Sequence, residues 1–152
     1  MIPEYANIRS VWPVLPPGIH NATLQEIEDR FATNHHRRNL FEGFKRGVAA
    51  LVYAGCKTIF LDGSFVTGKT HPKDFDVCWD PTGVDDTKLD PVFLDFTQNR
   101  KRQKDKFSGE FFPSSAIANG QKTFIEFFQT DRYTGVTGGL KLRQNGRSKF
   151  PY

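Results

Sequence analysis

Between Ile59 and Asp80 the chain reads IFLDGSFVTGKTHPKDFDVCWD, and its chemistry-bearing residues satisfy two patterns at once. Gly63, four residues, then Gly68-Lys69-Thr70 is the phosphate-loop spacing, in which a glycine-rich turn and the start of a long helix wrap phosphate groups. Gly63-Ser64, nine residues, then Asp74-Phe75-Asp76 is a second spacing. It sets a small-residue bend beside paired carboxylates, as metal-assisted transfer from a nucleoside triphosphate requires. Both patterns put a nucleoside triphosphate at Gly63, but they demand different folds.

The first pattern needs a long helix after Lys69. Only Lys69, Thr70 and His71 precede Pro72, and the residue before a proline is pushed out of the helical region. Beyond it, Asp74-Phe75-Asp76-Val77 alternates polar and apolar, which is strand-like. No strong apolar strand ending in a second metal-binding aspartate follows; Leu94-Asp95 comes nearest and is short. The second pattern is therefore preferred. A strand over Thr58–Leu61 ends at Gly63-Ser64, where the backbone can approach a triphosphate and the Ser64 hydroxyl can hold phosphate oxygens. Turn formers from Thr67 to Lys73 return the chain into a second strand. Residues i and i+2 of a strand share a face, so Asp74 and Asp76 converge. Like charges held that close repel unless a cation lies between them. A pair of Mg²⁺ ions would relieve the repulsion and clamp the attacking and leaving oxygens of an in-line displacement. The solvent face of an edge strand is the plainer reading of such a pair. The Gly-Ser at fitting distance and the apolar frame of Phe75 and Val77 favour a site.

A chain of 152 residues is expected to form one domain over 1–152, with room for a proper core but not for a two-domain polymerase or a synthetase. Residues 1–18 are proline-rich and expected to be extended, pinned by Trp12 and Leu15. Thr23 and Glu26 form a capping-box pair opening a helix whose buried stripe is Leu24, Ile27 and Phe31. Leu40, Phe41, Phe44, Val48, Leu51 and Val52 recur at helical spacing and predict a second helix, about Arg37 to Tyr53, stopped by Gly55. His35-His36-Arg37-Arg38 is read as a polar helix junction. A third helix is predicted over Pro91–Lys106, then a strand over Ser108–Phe112 that holds Glu110, and a final edge strand over Leu140–Arg143. The elements add up to an α/β (α+β) chain: a short mixed sheet with helices packed on it.

Fifteen phenylalanines are expected to fill the core. Cys56 and Cys78 lack metal spacing and are read as buried apolar residues. The net charge of +4 suits a protein that handles polyanions. Its densest run, Arg100 to Lys106, is read first as a solvated helix face and second as a phosphate or RNA contact surface. No stretch is long or apolar enough to span a membrane, and no signal-peptide pattern opens the chain, so a cytoplasmic protein is expected.

Gly63, Ser64, Asp74, Phe75, Asp76 and Val77 together resemble the motif of the nucleotidyltransferase superfamily. Its pattern is hydrophobic-Gly-[Gly/Ser], nine to thirteen residues, then Asp-hydrophobic-[Asp/Glu]-hydrophobic. DNA polymerase β-like, kanamycin-modifying and minimal, antitoxin-like proteins belong to it. The chain departs from the pattern at Asp62, where an apolar residue is usual. LPPGIHNATLQEIEDRF (Leu15–Phe31), LDGSFVTGK (Leu61–Lys69) and FFQTDR (Phe127–Arg132) extend the similarity to a bacterial group of small nucleotidyltransferase-like proteins. The resemblance implies a nucleotidyltransferase fold with Mg²⁺ or Mn²⁺ held by Asp74, Asp76 and a third carboxylate. It also implies a triphosphate at Gly63, Ser64 and Lys69. In minimal members the third acid comes from a strand after one intervening helix, which selects Glu110, with Glu126 in Phe124–Phe128 as its rival. Arg132 and Lys141 are candidates for holding phosphate charge. The implied reaction moves a nucleoside monophosphate onto a protein or RNA hydroxyl. A silent toxin–antitoxin or phage-defence partner is the implied alternative.

Overall fold

The computed structural model describes residues 1–6, 11–115 and 138–143. Its centre is a five-stranded mixed sheet. In chain order the strands are β1 (Gly18–Ala22), β2 (Ile59–Asp62), β3 (Asp76–Trp79), β4 (Glu110–Pro113) and β5 (Gly138–Leu142). Their spatial order is β1-β5-β2-β3-β4, with β2 antiparallel to both β5 and β3, and the outer pairs β1–β5 and β3–β4 parallel. Helices α1 (Leu24–Phe31), α2 (His35–Tyr53) and α3 (Thr97–Phe107) accompany it.

The capping box forms: the Glu26 N–H donates to Thr23 Oγ1 at 3.1 Å, and the Thr23 N–H donates to the Glu26 carboxylate at 2.8 Å. The second helix starts two residues earlier than its apolar spacing predicts, because Asn34 accepts from the Arg37 N–H at 2.8 Å and caps it at His35. Alternation then divides the sheet. Ile59, Leu61, Val77, Trp79, Phe111, Leu140 and Leu142 enter one core with Ile27 and Phe31 of α1 and Phe44, Val48 and Leu51 of α2. Phe60, Asp62, Asp76, Cys78, Glu110, Gly139 and Lys141 fall on the opposite face. Edge-to-face phenylalanines bind the helices to the sheet: Phe44 on Phe75, Phe75 on Phe111 and Phe111 on Phe93, at 5.6, 5.5 and 5.1 Å between centroids.

Four sequence expectations need correction. Gly18–Ala22 is a strand, where no element is predicted between the extended residues 1–18 and the helix opened by Thr23. The strand near the C-terminus is interior, between β1 and β2, and a Cβ at Gly138 would lie 2.1 Å from the Pro16 carbonyl oxygen, so glycine there admits the segment that leads into β1. The helix predicted over Pro91–Lys106 is broken into a 3₁₀ turn at Pro91–Leu94 and α3. Asp90 accepts from the Val92 N–H, and Asp95 from the Thr97 N–H and hydroxyl, so each aspartate starts its own turn in competition with a continuous helix. Finally, Val14 and Leu15 are the buried anchors of the N-terminal segment, while Trp12 is only half-buried, beside the Lys69 ammonium.

Within the basic run, Gln103 is fully buried. Its amide donates to the Val92 carbonyl at 3.0 Å and accepts from the Phe111 N–H at 2.8 Å, fastening α3 to β4. The surrounding cations pair with acids: Lys101 with Asp105, Arg102 with Asp95, Lys106 with Asp90, and both Arg100 and Lys104 with Glu110. The run is thus a paired helix face more than an open basic surface.

Candidate functional site

Register alone lines up three carboxylates. Asp62, the last residue of β2, opposes Asp76, the first of β3, and Asp76 opposes Glu110, the first of β4. Opposed residues share a face with Cβ atoms about 5 Å apart, so the three form a row across neighbouring strands on the face away from α1 and α2. Asp74 stands two residues before Asp76, in the extended approach to β3 and not within it, and is half-buried. The row runs from the interior strand β2 to the edge strand β4. Gly63 closes one side: its φ is +83°, and a Cβ there would lie 2.1 Å from Asp76 Oδ2. Only glycine lets this bend rest against the central carboxylate.

The three aspartates of the cluster, Asp62, Asp74 and Asp76, are shifted upward. Asp76 is held well above the ordinary carboxylate range, first by burial and then by Asp74, Glu110 and Asp62. Burial pushes Asp62 up to about 8, although the Gly63 N–H donates to its Oδ1 at 2.8 Å and works the other way. Asp74 is raised by burial and by Glu110, against the pull of Lys104, Arg100 and Lys73. Cys78, on the same face of β3, is also raised, chiefly by burial and then by Asp62 and Asp76. A group of acids that cannot all ionise together suits a cation, whose binding releases protons.

Oxygen-only ligands of this kind fit a hard divalent ion such as Mg²⁺ or Mn²⁺. As placed, however, Glu110 already serves two cations of α3. Its Oε1 accepts from Arg100 at 3.3 Å and Lys104 at 3.0 Å. The Arg100 guanidinium also lies 5.0 Å from the Phe112 ring centroid. Among the described residues no three His, Cys, Asp or Glu side chains stand close enough to hold an ion. Metal binding through Glu110 therefore requires exchange of these cations for the ion.

Of the other predicted positions, Ser64 opens a 3₁₀ turn, Ser64–Val66, directly after Gly63 and is half-buried. No helix begins at Lys69; residues 70–73 form bends, so the long helix that a phosphate loop needs is missing. Lys69 Nζ lies 4.6 Å from the centroid of Trp12. Lys141 sits on β5 opposite Phe60 and is exposed. Glu126 and Arg132 lie outside the described residues.

Two important residues escaped the sequence reading. Asp62 occupies the apolar place of the motif, and only its two-strand register with Asp76 reveals it as part of the row. Arg37, read as part of a polar junction, is 3% exposed. Its guanidinium donates to the carbonyls of Phe31, Phe65, Thr67 and Lys69, so it fixes the turn that leads from Gly63 toward Asp74. The Gly68 N–H, donating to the Pro13 carbonyl at 2.7 Å, ties that turn to the N-terminal segment.

The model of a family of unknown function, DUF6932, matches residues 9–143, and the chain belongs to that family. No curated protein and no solved structure matches it.

Proposed function

We propose that this DUF6932 member has a nucleotidyltransferase fold and moves a nucleoside monophosphate from a nucleoside triphosphate to a hydroxyl of a protein or RNA acceptor. The observation that carries the reading is the carboxylate row with Gly63 resting on its central member. Asp74 and Asp76 would hold Mg²⁺ or Mn²⁺, Glu110 would serve as third carboxylate, and Asp62 adjoins them. The ion supplies charge against the phosphate oxygens. The Ser64 hydroxyl in the glycine bend is suited to hold the triphosphate tail. In the balanced step, the acceptor oxygen bonds to the α-phosphorus and the bond to the bridging oxygen breaks. Pyrophosphate leaves with that electron pair, and the hydroxyl proton passes to Glu110.

The test is incubation with labelled ATP, GTP, CTP and UTP plus Mg²⁺ or Mn²⁺, reading pyrophosphate release and label on macromolecules. The expected outcome is turnover with at least one nucleotide, reduced 10²-fold or more by Asp76→Ala or Asp74→Ala, as for loss of a group that stabilises transition-state charge. Absence of turnover with all four nucleotides would defeat the proposal.

One observation favours a second reading, a silent binding partner of toxin–antitoxin or phage-defence type: Glu110 is already neutralised by Arg100 and Lys104. Under that reading the protein binds a partner protein tightly, releases no pyrophosphate, and keeps its binding in Asp76→Ala.

A further inference from the structure

Beside the turn that follows Ser64 lies a cavity of about 260 Å³, lined by the end of α1, the start of α2 and residues 67–70. Among the described residues, three cationic ones line it, Arg30, Arg37 and Lys69, and no aspartate or glutamate does. None of the three has a carboxylate within salt-bridge distance among the described residues. Among the described residues the buried Arg37 guanidinium lies 5.3 Å from the Phe65 ring centroid and donates its hydrogen bonds to carbonyl oxygens. Those dipoles satisfy its N–H groups but leave its charge uncompensated.

The helix beside it increases the imbalance. A helix N-terminus carries partial positive charge and normally attracts acidic side chains. The first turn of α2 has none; it begins His35-His36-Arg37-Arg38. The remaining two cations rest on aromatic faces: Arg30 lies 4.6 Å from the Tyr5 centroid and Lys69 4.6 Å from that of Trp12. Such contacts orient a cation without neutralising it. A concave wall with this much positive charge, and no acid among the described residues that line it, is suited to an anion. Its volume lies just below the usual range of about 300–1,000 Å³ for organic ligands, which suits a phosphate group better than a whole nucleotide.

We propose that this cavity binds a phosphate or diphosphate group, either as the free anion or as the terminal group of a larger molecule. Lys69 and Arg30 are its charge partners, Arg37 is the buried cation that organises its wall, and the carboxylate row takes no part. The inference goes beyond the transferase reading and does not depend on it.

The test is titration of the metal-free protein with sodium pyrophosphate at constant ionic strength, followed by calorimetry and by Trp12 fluorescence. Saturable binding is expected, with affinity lowered about tenfold or more in Lys69→Ala and in Arg30→Ala, as for loss of one charge-assisted hydrogen bond. Binding in Asp76→Asn is expected to match the parent protein, which separates this site from the transferase site. Lys69→Arg, which keeps the charge, is expected to restore most of the affinity and guards against a folding defect. Competition by ADP as strong as by pyrophosphate assigns the group to an organic phosphate; weaker competition assigns it to the free anion. The proposal is overturned if pyrophosphate does not saturate, if chloride displaces it equally well, or if Lys69→Ala and Arg30→Ala leave the affinity unchanged.

Discussion

Asp76 has carboxylates on three sides, Asp62 and Glu110 across the sheet and Asp74 along the chain, with Gly63 against its Oδ2. The contact with Gly63 makes a strict demand on side-chain size. Gly63→Ala would combine an unfavourable φ of +83° with a Cβ 2.1 Å from that oxygen, so it is expected to cost about 2 kcal/mol or more in urea unfolding. Pairing of Asp74 with Asp76 is legible in the sequence because i and i+2 share a side of an extended chain. The part played by Asp62 is not: a motif reads along one strand, whereas Asp62 meets Asp76 only through the register of two. Glu110 is legible only through the order of elements, and its engagement with Arg100 and Lys104 depends on the path of α3.

That path includes an uncommon feature. Gln98, Asn99 and Arg100 take φ of 51°, 57° and 60°, a left-handed turn of three non-glycine residues at the start of α3. Each such residue costs roughly 1–2 kcal/mol relative to the right-handed form, and the turn ends with Arg100 on Glu110. Gln98→Gly is expected to raise stability by up to about 1 kcal/mol, the relief of strain less the extra freedom of glycine in the unfolded chain. A loss of stability on denaturation would show that the turn is held by the Gln98 side chain itself. Arg37 matters at the same scale. Arg37→Met removes the donors to three carbonyls of the turn at 65–69 and to that of Phe31 at the end of α1, and a cost of about 3–5 kcal/mol is expected from thermal or chemical unfolding. The amphipathic spacing of α1 and α2 makes those helices readable from sequence. Strand β1 is not, and β5 is readable as a strand from Leu140 but not in its start at Gly138 or its interior place, since its pairing with β1 joins segments far apart in the chain.

At the scale of the whole molecule the buried acids couple stability to pH and to cations. The folded pKa of Asp62, about 8, exceeds the ordinary 3.8, and Asp74 and Asp76 shift the same way. A raised carboxyl pKa means that the folded state binds the proton more tightly than the unfolded state. This stabilisation is complete below the ordinary pKa and fades as pH rises through the folded one. Lys104, Arg100 and Lys73 soften the effect at Asp74 without reversing it. The metal-free protein is therefore expected to melt at progressively lower temperature from about pH 5 to about pH 9. Asp62→Asn should flatten the upper part of that profile, where the Asp62 carboxyl titrates. No helix among the described residues is long and apolar enough to cross a membrane. The central claim, that the carboxylate row takes a divalent cation, is tested most directly by Mn²⁺ titration followed by electron paramagnetic resonance. Saturable Mn²⁺ binding that is competed by Mg²⁺ and abolished in Asp76→Asn is the expected result. Mn²⁺ that stays free in the parent protein, or binds Asp76→Asn equally well, would contradict it.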